Sequence, residues 1–380
     1  MSVRAGRQIP FLSPGERPLE NLEALYGSDQ HGLVWAFRFA PGEAPVPVNT
    51  DDVTAWLASA PAASSGSFVW MHFSLANAAS ERWLRRSLSL PSTFFDSISE
   101  LAASTRVEED GEALVAVIHD VLLDPASSSP PSRASNRGRT GTREVKYDLT
   151  FDPEAVATVH LCLTERMLVT VRLRPVRSVD ALRADARAGK VFRSVSHLLA
   201  QFLRHQAGVL ADIVRRATLQ VDLIEDNLLA NRIPADRRAL GTLRRTLVRL
   251  QRLLAPEPTA LFRLLESSPE FLSEDDLQDL RQATEEFSAV IADSGTLVER
   301  AKSLQEELTA LVAEQTNRTL FVLTVCTVLA LPVNMIAGLF GMNVGGVPFA
   351  SNQAGFYIVV AVLIILTGVA AQQALGRRRE

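Results

Sequence analysis

The chain has 380 residues, with 39 Lys or Arg and 43 Asp or Glu, so its formal net charge at pH 7 is −4. This balance argues against a basic nucleic-acid-binding protein. Charged residues make up 22% of the chain and hydrophobic residues 47%, which excludes a disordered protein. The only two cysteines, Cys162 and Cys326, exclude a disulfide scaffold and indicate a reducing compartment.

The first 190 residues show the pattern of a mixed α/β domain, which we expect to be cytoplasmic. Short apolar runs predict strands, and helical candidates lie between them, so we expect an α+β domain with α/β/α sandwich-like layers. Residues 125–142 are rich in Ser, Pro and Arg, and they predict a disordered surface insertion. The predicted strands are 33–39, 67–73, 114–119, 156–162 and 167–173, the last two forming a hairpin, and the predicted helices are 78–88 and 92–102.

Residues 191–318 predict a helical domain that ends in a stalk helix. Helices are expected at 194–229 and 236–254, and Ser273 is placed to cap an acidic helix. One long helix is predicted from about Thr296 to Phe340, which at 1.5 Å per residue spans ~65–70 Å. Its cytoplasmic part carries a coiled-coil-like apolar seam at Leu297, Ala301, Leu304, Leu308 and Leu311.

No catalytic constellation stands out, so we do not expect an enzyme or a permanently bound cofactor. The sequence has neither a P-loop nor a Gly-x-Ser-x-Gly motif. The pair His119–Asp120 is a possible metal pair, but an exposed strand end is the favoured interpretation. The six histidines lack zinc-ligand spacing; they are His31, His72, His119, His160, His197 and His205.

An uncharged block of 58 residues, Thr319 to Gly376, predicts a membrane domain within residues 319–380. It contains two apolar stretches, about 320–340 and 355–375. Each has the ~20 residues that a helix needs to cross the ~30 Å hydrocarbon core of a bilayer. The alternative, a buried hairpin of core helices, is disfavoured by this length and by the absence of charge.

The flanking charges predict how the two spans are oriented. Lys302 and Arg318 precede the first span, residues 377–379 are arginines that follow the second, and the connector 341–354 is uncharged. Because positive residues stay on the cytoplasmic side, both termini should be cytoplasmic and the connector external. Residues 1–18 lack the apolar core of a signal peptide. We therefore expect a multi-pass protein of the bacterial inner membrane.

One face of the first span is small or polar. Polar side chains inside a bilayer face other protein or water, so the stripe predicts either a pore lining or a packing seam between helices, and both remain open. A two-span chain cannot enclose a pore alone, so the pore alternative requires a homo-oligomer. The polar stripe consists of Asn317, Leu320, Thr324, Thr327, Leu331, Asn334, Gly338 and Gly341.

The first span ends in Gly341-Met342-Asn343, which, before the second of two C-terminal spans, resembles the CorA family of divalent-cation transporters. Three segments further resemble its zinc-transporting ZntB branch: Leu223-Ile-Glu-Asp-Asn-Leu-Leu229, Ile233-Pro234 and Leu254-Ala-Pro256. The resemblance runs from about Gly32 to the end, apart from the 125–142 insertion.

The resemblance implies a homopentameric funnel in which the first span lines the pore and Gly341-Met342-Asn343 forms the external ion entrance. Asn343 would present a ring of amide oxygens to a hydrated cation, Gly341 would allow the tight backbone after the helix, and Met342 would pack to hold the loop. Further inside, Asn334 would form a second polar ring. Candidate hydrophobic constrictions are Leu331 and Leu320.

The loop after the motif has no carboxylate, whereas magnesium-transporting relatives usually carry acidic residues there. We therefore expect zinc transport, ahead of magnesium, cobalt or nickel. A magnesium/cobalt channel is the alternative, and a membrane-anchored sensor without ion flux is a third. The branch is associated with proton-coupled uptake, yet residues 319–376 contain no Asp, Glu, His or Lys. Coupling would therefore use water or Glu306, Glu307 and Glu314.

The spans offer zinc neither imidazole nor carboxylate ligands, so we expect the ion to pass in hydrated form. Their one soft ligand, Cys326, lies off the polar stripe, and we interpret it as a packing residue.

Overall fold

The computed structural model describes residues 28–59, 66–99, 104–122, 156–230, 237–267, 272–342 and 354–376. The predicted insertion at 125–142, Asn343 and the arginines at 377–379 lie outside the described residues. The chain divides into two compact units, residues 1–302 and 303–380.

The first unit contains a seven-stranded sheet in the order β2-β1-β3-β7-β6-β5-β4. Strands β3 and β7 pair in parallel, and the other neighbours are antiparallel. The predicted strands and the predicted hairpin are confirmed, whereas β2 and β4 were not predicted because they are short or polar. The strands are β1 Leu33–Phe39, β2 Val46–Val48, β3 Phe68–Ser74, β4 Arg106–Asp110, β5 Ala113–Val121, β6 Val156–Leu163 and β7 Met167–Arg172.

The described residues form nine helices. Those of the first unit include the predicted pair before β4, while α1, α4 and α7 were not predicted. The helices are α1 Thr50–Ala58, α2 Ala79–Ser87, α3 Ser92–Ser99, α4 Arg177–Arg187, α5 Val195–Leu229, α6 Arg237–Leu254, α7 Pro256–Ser267, α8 Glu274–Phe340 and α9 Gly355–Gly376.

Helices cover both faces of the sheet, which confirms the sandwich-like layers. On one face, α1, α2 and α3 contribute Val53, Leu84 and Phe94 to the core. The other face is covered by α4, α5, α7 and the start of α8, with side chains such as Leu198 and Leu264. A strand buried on both faces has no solvent side to make polar, so β5 is buried along its whole length.

Short polar side chains fix where several helices begin. The Asn49 carboxamide accepts the Asp52 N–H at 2.8 Å, and the Asp52 carboxylate accepts the Asn49 N–H at 3.3 Å, a reciprocal capping box for α1. The Ser194 hydroxyl accepts the His197 N–H at 3.0 Å at the start of α5. Ser273 caps α8 as predicted, because its hydroxyl accepts the Asp276 N–H at 3.2 Å.

The predicted start of the long helix was wrong, because α8 begins at Glu274 and not near Thr296. Gly295, which had suggested an interruption, lies inside the helix. A Cβ at Gly295 would lie 2.8 Å from the Gln251 amide nitrogen on α6, so the glycine serves close packing. Four residues of the predicted seam, Leu297, Ala301, Leu304 and Leu308, are buried, whereas Leu311 is half-buried.

Helices α5, α6 and α8 share an apolar cluster beside the end of β5. Phe287 of α8 is completely buried there and packs with residues of both other helices. This cluster joins the helical layer to the sheet, since Val121 of β5 belongs to it. Its remaining members are Ala207, Leu210, Ile213, Leu250, Leu254 and Ile291.

Candidate ion-conducting site

The second unit carries the uncharged part of α8. Among the described residues, α8 is the one helix long and apolar enough to cross a membrane, and no residue of its most apolar window is buried. Helix α9 contains a shorter apolar stretch, Gly355–Val369. Exposed apolar side chains at this density are costly in water, so length and composition suit a lipid surrounding.

Two faces of this part of α8 have different surroundings. Val325, Leu329, Pro332 and Ile336 are half-buried and recur at steps of four, three and four residues. Every residue of the polar stripe, in contrast, is exposed. On a helix of 3.6 residues per turn, the two faces are about 150° apart. Within the described part of a single chain, the polar stripe is therefore not the packing face.

The threonines of the polar stripe have hydroxyls with a fixed role. The Thr324 hydroxyl donates to the Leu320 carbonyl at 2.8 Å, and the Thr327 hydroxyl donates to the Leu323 carbonyl at 2.9 Å. Because the hydroxyl proton is used within the helix, the free lone pairs accept hydrogen bonds from outside. Water around a cation turns its protons outward, so such acceptors fit the shell of a hydrated cation.

Apolar side chains alternate with these acceptors along the stripe. Leu320 is 53% exposed and Leu331 is 66% exposed, so both point away from the half-buried face. Asn334 lies on the same exposed face, one turn beyond Leu331. The stripe thus has the polar and apolar alternation that a dewetting constriction needs, and the assignment of Leu320 and Leu331 to this role stays a prediction.

Helix α8 ends at the predicted motif. The Gly341 N–H donates to the Ala337 carbonyl at 2.9 Å, and a Cβ at Gly341 would lie 3.1 Å from that same oxygen. The backbone is therefore tight at this point, and the role of Gly341 at the ion entrance stays a prediction. Met342 is exposed among the described residues, and its packing against the loop stays a prediction, as does the role of Asn343.

Carboxylates occur only on the part of α8 before the uncharged block. Glu306, Glu307 and Glu314 are all exposed. Cys326 is exposed and lies off the polar stripe, so its packing role also stays a prediction.

The expectation that His119 and Asp120 end a strand at the surface was wrong. His119 is 9% exposed and Asp120 is 1% exposed, because β5 is covered on both faces. The Asp120 carboxylate accepts the Ser178 N–H at 2.8 Å and the Ser178 hydroxyl at 2.7 Å. Burial raises the pKa of Asp120 to about 6 and lowers the pKa of His119.

These contacts give the two residues a structural role, because the Asp120 carboxylate already receives several donors. In the part of the chain that the structure describes, no group of three or more His, Cys, Asp or Glu side chains is arranged to hold a metal ion. Sequence inspection missed Glu257, whose carboxylate accepts the His119 N–H at 2.5 Å from 138 residues away.

Comparison with known proteins identifies a family and several relatives with a similar sequence. The family model for the CorA-like Mg²⁺ transporter protein matches residues 142–372. The chain is 23% identical over 349 residues to the zinc transport protein ZntB of Pectobacterium atrosepticum, covering 91% of this chain and 96% of that protein. It is 26% identical to the divalent cation transporter CmaX of Pseudomonas aeruginosa, covering 80% of this chain and 84% of that protein.

A solved structure, that of full-length CmaX, superposes with a TM-score of 0.73. The match covers 92% of this chain and 99% of that structure at 22% sequence identity, and it supports the same fold. The family model covers more than half of the chain, including all of α8 and the apolar stretch of α9. The chain therefore belongs to the CorA-like Mg²⁺ transporter family.

Proposed function

We propose that this protein transports divalent cations, zinc in preference to magnesium, cobalt or nickel, across the bacterial inner membrane. Family membership supports cation transport, and the name of the ZntB relative supports zinc. The loop sequence after Gly341-Met342-Asn343 supports the same choice, because it has no carboxylate with which to concentrate cations.

One observation carries the proposal: the polar stripe of α8 is exposed and lies opposite the half-buried face of the same helix. Polar side chains in a bilayer need protein or water beside them. Several copies arranged around an axis, with their stripes facing it, would supply both, and we propose a homopentamer. The uncharged, oxygen-rich stripe favours a hydrated ion over a dehydrated one, since zinc in direct contact prefers imidazole or thiolate.

The proposed orientation has both termini in the cytoplasm and the Gly341-Met342-Asn343 entrance outside. The stripe would then guide the ion from Asn343 past Asn334 toward Asn317. Proton coupling, where present, would use water or the exposed carboxylates Glu306, Glu307 and Glu314, because the uncharged block offers no carboxylate, imidazole or amine.

The test is metal flux into proteoliposomes that contain the purified protein, with zinc and magnesium compared, with and without a pH gradient. Asn343→Ala and Asn334→Leu should abolish zinc flux, and Thr327→Val should reduce it. Thr319→Val is the matched control: its hydroxyl donates to the Gln315 carbonyl at 3.0 Å, but Thr319 lies off the polar stripe.

The outcomes separate the alternatives. Equal loss in Thr319→Val and Thr327→Val would refute the pore assignment of the stripe. Magnesium flux in place of zinc flux would establish the magnesium/cobalt channel and show that loop carboxylates do not set selectivity. If neither ion is transported, a membrane-anchored sensor without ion flux would be the remaining alternative. A zinc flux that does not respond to pH would exclude proton coupling.

A further inference from the structure

A sealed polar junction joins β5, α5 and α7 within residues 1–302. Glu257, in the first turn of α7, has no exposed surface, and Gln206 of α5 is 2% exposed. One Glu257 carboxylate oxygen, Oε1, accepts the His119 N–H at 2.5 Å. The other oxygen, Oε2, accepts the Gln206 Nε2–H at 2.7 Å. Three elements distant in sequence therefore meet at one carboxyl group.

The Gln206 carboxamide is only half satisfied. Its Nε2 donates both to Glu257 Oε2 and to the His119 carbonyl, the latter at 2.5 Å. Its Oε1 is buried and has no hydrogen-bond partner among the residues that the structure describes. A buried polar atom without a partner is rare and costly in native proteins, so it calls for a physical reason.

The missing partner of Gln206 Oε1 is what a protonated Glu257 would supply. An ionised carboxylate only accepts hydrogen bonds, and it receives two N–H donors in the observed arrangement. A protonated carboxyl carries an O–H that needs an acceptor. A half-turn of the Gln206 carboxamide brings Oε1 to Glu257 and takes Nε2 away from both Glu257 Oε2 and the His119 carbonyl. The junction therefore has two alternative sets of hydrogen bonds.

The surroundings make protonation of Glu257 accessible. Burial raises the pKa of Glu257 well above its ordinary value, and the nearby negative charge of Asp120 raises it further. From β5, the His119 ring nitrogen Nδ1 lies 3.9 Å from Glu257 Oε1, and burial favours the neutral ring. The Thr105 hydroxyl is hydrogen-bonded to His119 Nδ1 at 3.0 Å. From α5, the group that faces Glu257 is the uncharged Gln206.

We propose that Glu257 is a proton-binding site and that Gln206 is its switch, so that pH changes the hydrogen bonds joining β5, α5 and α7. Protonation with the half-turn replaces the two hydrogen bonds of Gln206 Nε2, to the His119 carbonyl and to Glu257, by one hydrogen bond from the Glu257 O–H to Gln206 Oε1. The effect on transport rests on the proposed function, whereas proton binding at Glu257 does not. A two-state element of this kind can bias helix α5 without any metal ion.

The direct test is infrared difference spectroscopy of the full-length protein in detergent across a pH series. The wild type should show a protonated-carboxyl band that titrates well above the pH of an ordinary glutamate. The Glu257 component of this band should be absent from Glu257→Gln, which keeps the separate component of Asp120 at a pKa of about 6. The Glu257 component should be kept in Glu266→Gln, a matched control with an exposed carboxylate on the same helix. A wild-type spectrum that matches Glu257→Gln at every pH would overturn the proposal.

A second variant covers the case in which Glu257→Gln fails to fold. Asp120→Asn removes the charge that opposes ionisation of Glu257, so the band should titrate at lower pH. An unmoved titration would overturn the assignment of the band to Glu257.

Flux measured with the pH varied on the side of residues 1–302 tests the consequence for transport. The pH profile of Glu257→Gln should be flatter than that of the wild type, and Glu266→Gln should follow the wild type. Identical profiles in all three proteins would overturn the regulatory role. Absence of flux in all three would refute the proposed function and leave the infrared result standing.

Discussion

Replacement of Phe287 by alanine should be among the most destabilising changes in the chain. The ring is completely buried where α5, α6 and α8 meet the end of β5. Deleting a buried Phe side chain costs about 3–5 kcal/mol, because apolar contacts are lost and a cavity remains. The walls of this cavity belong to three helices and to strand β5, which cannot collapse independently, so we expect the upper half of that range.

The assay is urea unfolding of the full-length protein in detergent, followed by far-ultraviolet circular dichroism. Phe287→Leu keeps most of the apolar volume and should cost about 1.5 kcal/mol or less. Glu285→Ala, an exposed position two residues earlier in α8, is the control and should change the free energy of unfolding by less than about 0.5 kcal/mol. An alanine variant within about 1 kcal/mol of the wild type would refute the packing argument.

Three further changes test the buried and exposed polar groups of the first unit. Thr170→Val should lower the free energy of unfolding by about 2–3 kcal/mol in the same urea assay, because two buried partners of the Thr170 hydroxyl lose their hydrogen bond. These partners are the Trp70 Nε1–H at 2.9 Å and the His72 ring nitrogen Nδ1 at 2.7 Å. An unchanged free energy of unfolding would contradict this. The pKa of Asp120 is raised by burial from 3.8 to about 6, so its ionisation opposes folding. The free energy of unfolding should therefore fall as the pH rises through about 4 to 7, by up to about 3 kcal/mol relative to Asp120→Asn. Parallel pH profiles of this free energy in the wild type and in Asp120→Asn would refute the assignment. Arg300→Ala should lower the free energy of unfolding by less than about 1 kcal/mol, because the ion pair between Arg300 and the Asp222 carboxylate, 2.7 Å apart, is substantially exposed. A loss well beyond about 1 kcal/mol at high salt would contradict this estimate of the ion pair.

Local pattern was sufficient for elements whose burial follows the sequence directly. The strand at 33–39, the hairpin of β6 and β7 and the long helix α5 were predicted because apolar spacing and turn residues agree there. The seam of α8 was found for the same reason. The start of α8 was missed because Gly295 signals an interruption locally, whereas its contact with Gln251 comes from another helix.

The candidate site divides in the same way. The uncharged block and the polar stripe are properties of consecutive residues on one helix, and composition with a 3.6-residue period is enough to define them. The structure was needed to show which face of α8 is half-buried, because burial depends on residues that are distant in sequence. The roles of Asn343 and of the pore residues follow from the resemblance and stay predictions.

The sequence by itself determined that this is a mixed α/β protein with an uncharged, helical C-terminal part and a CorA-like motif, because charge, hydropathy and spacing are local quantities. Only the tertiary structure decided which polar side chains are buried and which hydrogen-bond partners they have. His119 and Asp120 were expected at the surface and are buried, because helices cover both faces of β5. Glu257 became significant only when α7 brought it to the backbone of His119. Burial and partnership depend on distant segments meeting, and no local pattern records which segments those are.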